Sequence, residues 1–263
     1  MGLFILAPHA ATSQTFQLTG NAIQGGMMIG LAPGAVSASV DGIASQVSAD
    51  GVFVIGFPTE APDRATLTVR FADGRSETRI LEIAQRTYDV ERIDGLPAAQ
   101  VTPPQDVLNR ISRENAAIAA VRAMDTAVPW FAGGFRWPAT GRISGVYGSR
   151  RILNGQPRQP HYGVDVAAPT GTPVVAPASG TIALAEADLY YTGGTVMIDH
   201  GFGVTSVMSH LSAILVGVGA HVQPGDVIGL VGATGRVTGA HLDWRVNWFT
   251  VRLDPALLVG PME

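Results

Sequence analysis

The pattern of hydrophobic and polar positions changes period along the chain. Residues 66–71 (Thr-Leu-Thr-Val-Arg-Phe) alternate polar and apolar, the signature of a strand with one face in a core. Residues 51–57 read as a continuous buried strand, and Asp41-Gly42, Asp50-Gly51 and Asp73-Gly74 supply turn dipeptides between such runs. Residues 15–96 are therefore expected to form an antiparallel β-sandwich of immunoglobulin-like type. No cluster of catalytic residue types falls in this stretch, so a spacer or docking role is its default reading.

The period then lengthens. Between residues 106 and 124 the apolar positions fall at Val107, Ile111, Ile118 and Val121, with Arg110, Arg113, Glu114 and Arg122 among them. This near-helical spacing predicts one amphipathic connecting helix, and residues 97–136 are assigned as linker and helix. Trp130, Phe131, Phe135 and Trp137 form an aromatic cluster expected to pack at the junction. From residue 137 to 263 short strands return, at 174–178, 180–185, 195–199, 204–211, 226–231 and 241–247, separated by Gly and Pro. The expected class is all-β, with a second β domain after the helix. Residues 1–14 read either as a clipped signal or as a first strand, because the apolar run is short and no basic segment precedes it.

Composition narrows the chemistry. The 263 residues are 46% hydrophobic and only 14% charged, with 32 Gly and 17 Pro, as suits a turn-rich β protein long enough for two cores. A net charge of -4 argues against nucleic acid as a partner, which requires a basic field. No run approaches the ~20 continuous apolar residues of a membrane span. Cysteine is absent, which removes disulfides, thiolate metal sites and a Cys nucleophile. Every one of the 17 basic residues is Arg, so a P-loop or a Schiff base cannot be built, and the hairpin-like segment 222–229 cannot be a lipoyl or biotinyl carrier.

What remains is histidine and carboxylate. His161 and Asp165 lie four apart, His241 and Asp243 lie two apart in an apolar strand, and His210 sits in another. Strand periodicity turns His241 and Asp243 to one face, so three short segments of one sheet can hold one divalent metal. Arg245 lies on that same face and offers the alternative of an ordinary ion pair with Asp243. His9, His200 and His221 have no such company and read as surface or turn histidines.

Four ordered blocks carry a family resemblance: Gly141-Arg142-Ile143-Ser144-Gly145-Val146-Tyr147-Gly148-Ser149-Arg150; His161-Tyr162-Gly163-Val164-Asp165 with its continuation to Val174; Ser209-His210-Leu211-Ser212; and Gly232-Ala233-Thr234-Gly235 through His241-Leu242-Asp243-Trp244. Together they resemble the lysostaphin/LytM-type zinc peptidases that cut peptidoglycan cross-links, over residues 137–255. The resemblance implies a LytM-type antiparallel sheet, a zinc cofactor, peptidoglycan as substrate, and a periplasmic or cell-envelope location after export. By position it implies His161, Asp165 and Asp243 as zinc ligands, and His210 and His241 as the groups acting on the hydrolytic water and the tetrahedral intermediate. It places Tyr191 where some members hold the scissile carbonyl. The third ligand position departs from the family pattern, being Asp rather than His. Counting ligands alone, two carboxylates cancel the charge of Zn²⁺, which implies a weaker Lewis acid or a higher pH optimum. The alternative within the same family is a degenerate, non-catalytic regulator that activates a cell-wall amidase.

Overall fold

A computed structural model describes residues 16–95 and 103–262. The reading of residues 1–14, and His9 with it, lies outside the described residues. Seven strands make up the N-terminal part, in two antiparallel sheets. One has three strands, Gln17–Gly20, Met27–Leu31 and Val52–Gly56, in that order; the other runs Ile43–Ser45, Ala35–Val40, Arg64–Phe71, Ser76–Glu82. The strand Arg64–Phe71 is buried at every second residue, with Leu67 and Val69 fully inside, as its alternation requires. Asp41 (φ 47°) and Gly42 (φ 83°) both adopt positive φ, the two-residue turn whose twist matches the strands it joins.

The helix spans Gln105–Arg122 and buries Ile111 and Val121, with Val107 and Ile118 half-buried beside them. That stripe is the one its periodicity marks. Val121 and Ile118 pack on Leu184, Leu189, Met197 and Val207, which fixes the helix across the C-terminal sheet. Phe131 is fully buried against Phe202, and the Trp137 and Trp244 rings meet edge to face at 5.6 Å.

The C-terminal sheet has ten strands. Its main path runs His221–Val222, Gly180–Leu189, Gly193–Asp199, Val204–Ile214, His241–Trp248, Val164–Ala167, Arg142–Gly145. Pro173–Val175, Val227–Val231 and Val251–Leu253 branch from it. One face is a core built on Leu242, Trp244, Val246 and Trp248 of a single strand. The other face carries His241, Asp243 and Arg245. The expected strand at 174–178 stops at Val175.

Val90–Ile93, which the sequence groups with the sandwich, instead pairs in parallel with Arg150–Leu153. The first part of the chain thereby reaches the edge of the site. Among the described residues no helix is long and apolar enough to cross a membrane.

Candidate active site

Strand register brings the carboxylates together. Asp165 lies directly opposite Asp243 across the pair Val164–Ala167 and His241–Trp248, and Asp243 lies opposite Ser209 on its other side. Like charges facing each other in this way are unfavourable unless a cation joins them. His161 precedes the first of these strands and is buried at 1% exposure. Its Nε2 stands 3.1 Å from Oδ1 of Asp165 and 3.6 Å from Oδ1 of Asp243. One ligand atom from each of the three residues falls within 4.8 Å of the others.

Both ring nitrogens of His161 and Oδ1 of Asp165 are buried without an aligned hydrogen bond. Such orphaned polar atoms are rare in folded proteins, and converging as they do they fit a bound cation. In the metal-free site, burial opposes charge on His161, but Asp165 and Asp243 outweigh it and its pKa is raised.

Two arginines stand behind the carboxylates. Nε of Arg245 donates to Oδ1 and Oδ2 of Asp243 at 2.9 and 3.0 Å, and its Nη2 bonds Oδ2 as well. Burial raises the cost of charge on Asp243, yet Arg245 and His161 hold its pKa well below the usual carboxylate range. The ion pair foreseen as the alternative to metal binding thus exists, but it does not take Asp243 out of the cluster, since each carboxylate oxygen has two lone pairs. Arg151 lies 3.3 Å from Oδ2 of Asp165 and 3.1 Å from Glu91. Glu91 belongs to the strand Val90–Ile93, so that strand helps set the charge at the site.

His210 occupies a bulge. Its φ is +67°, and the pairing of Val204–Ile214 with Gly193–Asp199 shifts register at this point. An extra residue there re-aims the side chain toward the cluster, at a backbone cost of about 1–3 kcal/mol. Nδ1 lies 2.9 Å from the carbonyl oxygen of Thr234, which can only accept, so Nδ1 carries the proton and Nε2 presents a lone pair. Burial pushes its pKa down to about 4. His241 is fixed in the same tautomer by Gly239 O at 2.9 Å, with its Nε2 3.8 Å from Oδ1 of Asp165. The two rings are 4.8 Å apart.

Two clefts of about 140 and 420 Å³ meet here, sharing Arg151, His210, Arg236 and Asp243. The larger is lined by Tyr191 and Thr192 on one side and by the helix on the other. Tyr191 therefore faces the cleft, with Arg236 over its ring at 4.4 Å.

All six residues singled out from sequence are thus brought to one region. Arg151 was missed, although it directly follows the first motif block. The reason Gly145 and Gly163 must be glycine was missed too. A Cβ on Gly145 would lie 2.2 Å from Oδ2 of Asp165, and one on Gly163 would lie 2.7 Å from Oδ1 of Asp243. His200 corrects the sequence reading: it sits in a turn, but fully buried. Nδ1 donates to Ser179 O at 2.6 Å and Nε2 meets Ser206 Oγ at 2.8 Å, so its polar atoms are satisfied inside the core. His221 is exposed, as expected, and neither histidine joins the cluster.

Comparison with known proteins agrees with this geometry. Residues 159–255 match the model of Peptidase family M23. The peptidoglycan DD-endopeptidase ShyA of Vibrio cholerae is 42% identical over 106 residues, which are 40% of this chain and 24% of ShyA. The chain spans about a quarter of the length of the curated relatives it matches. A crystal structure of a putative peptidase M23 from Pseudomonas aeruginosa is 29% identical with a TM-score of 0.69, covering 90% of this chain and 95% of that one. LytU, at 32% identity, is covered over 76% of its chain by 42% of this one, with a TM-score of 0.38. Residues 159–255, which include the segments that build the cluster, are thus a Peptidase family M23 domain, the domain of the lysostaphin/LytM-type peptidases.

Proposed function

We propose that this protein is a zinc-dependent endopeptidase that hydrolyses peptide cross-links or stem peptides of bacterial peptidoglycan, exported to the periplasm or cell envelope where that substrate lies. The observation that carries the reading is the convergence of His161, Asp165 and Asp243, with unpartnered ligand atoms, beside two imidazoles of fixed tautomer. The naming of ShyA as a peptidoglycan DD-endopeptidase supports the substrate.

His161, Asp165 and Asp243 would hold the metal, a nitrogen and oxygen set that Zn²⁺ accepts. Bound there, Zn²⁺ supplies a Lewis acid toward the scissile carbonyl and lowers the pKa of water. The chain's own residues do the rest. His210, kept neutral by burial, accepts a proton at Nε2, while His241 stands across from it to stabilise the developing oxyanion once protonated; the two can exchange roles without moving. Tyr191 helps position the carbonyl from the cleft wall. Arg245 and Arg151, each against a carboxylate ligand, return the positive charge that the ligand count alone removes, so the expected loss of Lewis acidity is offset.

The regulator reading draws on the same ion pair, because Arg245 satisfies Asp243 without metal. Two measurements separate them: elemental analysis of full-length protein after zinc is supplied, and cleavage of purified peptidoglycan. We expect about one zinc per chain and wall cleavage in the wild type, with both lost in His161→Ala. Equally little zinc in wild type and variant would sink the metal site. Bound zinc without cleavage, together with stimulation of a wall amidase, would favour the regulator.

A further inference from the structure

The wider cleft runs from His210 and Asp243 along the inner side of the helix, and arginine dominates it. Arg122, Arg151, Arg236, Arg245 and Arg252 line it, against only Glu114 and Asp243. Both carboxylates already have partners: Asp243 is held by Arg245, and Glu114 by Arg110 and the backbone N–H of Tyr190. Arg151 pairs with Glu91 and Asp165. Arg122 and Arg252 have no carboxylate partner among the described residues. Nε of Arg122 is buried and bonded to nothing. Arg252 gives Nη1 to Asn247 Oδ1 and lies 5.7 Å from the Tyr162 ring.

These two side chains come from separate elements, the last turn of the helix and the strand Val251–Leu253, yet they line one cleft. Half-buried like charges repel, and an unpaired buried N–H is costly, so an anion between the two guanidinium groups would relieve both. Burial, then Arg252 and Arg245, brings Arg122 down to about 9, so it is still charged at neutral pH.

We propose that Arg122 and Arg252 form an anion subsite that receives a carboxylate of the peptide lying in this cleft, so that acidic peptides are bound in preference to their amidated counterparts. The inference rests on the peptidase reading, which supplies a peptide as occupant; the guanidinium forks then match its only anionic groups. The subsite adjoins the hydrolytic centre because His210 and Asp243 line the same cleft.

The test uses the full chain with metal removed by chelator, so that binding is read without turnover. The probes are a labelled synthetic peptide with free carboxylates, its amidated form of equal length, and inorganic phosphate as competitor. We expect the acidic peptide to bind about 10- to 100-fold more tightly. Arg122→Gln and Arg252→Gln should each lose most of that preference, while Arg122→Lys should keep part of it. In zinc-loaded protein the glutamine variants should raise KM for the acidic peptide and leave kcat near its wild-type value. Equal affinity for the two peptides, or a preference that survives in the double glutamine variant, overturns the subsite. Displacement by phosphate as effective as by unlabelled acidic peptide overturns its assignment to a peptide. Wall cleavage without the acidic preference leaves the peptidase reading standing and the subsite refuted; the preference without wall cleavage does the reverse.

Discussion

Nε of Arg245 lies 2.9 and 3.0 Å from the two carboxylate oxygens of Asp243, while Oδ1 of that carboxylate is 3.6 Å from Nε2 of His161. One buried carboxylate thus serves an ion pair and a prospective metal at once. Removing Arg245 should lower stability and raise metal affinity, whereas removing Asp243 should lower metal affinity.

Arg245→Ala should destabilise the metal-free protein by about 3–5 kcal/mol, because it leaves Asp243 charged and buried. It should also raise metal affinity, since a cation beside the ligand is gone. Melting curves with zinc and with chelator check both: the zinc-dependent gain in Tm should be larger in the variant than in the wild type. Asp243→Ala should lower zinc content, and Asp243→His should keep it. Unchanged zinc content in Asp243→Ala would mean that the residue serves Arg245 alone.

Proton release should accompany metal binding. His161 has a raised pKa in the metal-free site, and a metal takes only the neutral imidazole. Zinc affinity should therefore fall as pH drops through the raised His161 value, by about tenfold per pH unit. Calorimetry in buffers of different ionisation enthalpy measures the proton directly. In the same metal-free protein the His210 ring should titrate near pH 4 by NMR. Zinc binding with no proton released at pH 6.5 would remove His161 from the ligand set.

His200 should make the fold sensitive to acid. Burial brings its pKa down to about 4, below the usual value of 6.5. Between those values the unfolded chain binds a proton that the native state excludes, so stability falls as pH decreases from 6.5 and levels off near 4. For this one group the loss reaches about 3 kcal/mol. Urea unfolding of wild type and His200→Gln across that window checks it. The wild-type curve should drop more steeply by that amount, and parallel curves would oppose the claim.

Gly145→Ala should damage the site more than the fold. The added Cβ would sit 2.2 Å from Oδ2 and 2.8 Å from Cγ of Asp165, so the carboxylate must move. Overpacking of this kind costs about 1–3 kcal/mol. Zinc content should drop sharply while far-UV circular dichroism stays that of the wild type; retained stoichiometric zinc would show that Asp165 is not a ligand.

Local patterns alone determined much of this protein. The alternation in Arg64–Phe71, the Asp41-Gly42 turn and the buried stripe of the helix follow from periodicity and backbone preference within a few residues. The placement of His241 and Asp243 on one face follows from the same period of two. Spacing and residue type marked His161, Asp165 and His210 without saying how they meet. What only the tertiary structure decided is non-local. The register that sets Asp165 against Asp243, the bulge that turns His210 inward, and the pairing of Val90–Ile93 with Arg150–Leu153 join segments far apart in the chain. His200 reads as a turn residue because its neighbours in sequence form a turn, and it is buried because Ser179, Ser206 and Phe135 close over it. Arg122 and Arg252 lie 130 residues apart, and no period in the sequence could bring their charges into one cleft; packing of the helix across the sheet does that.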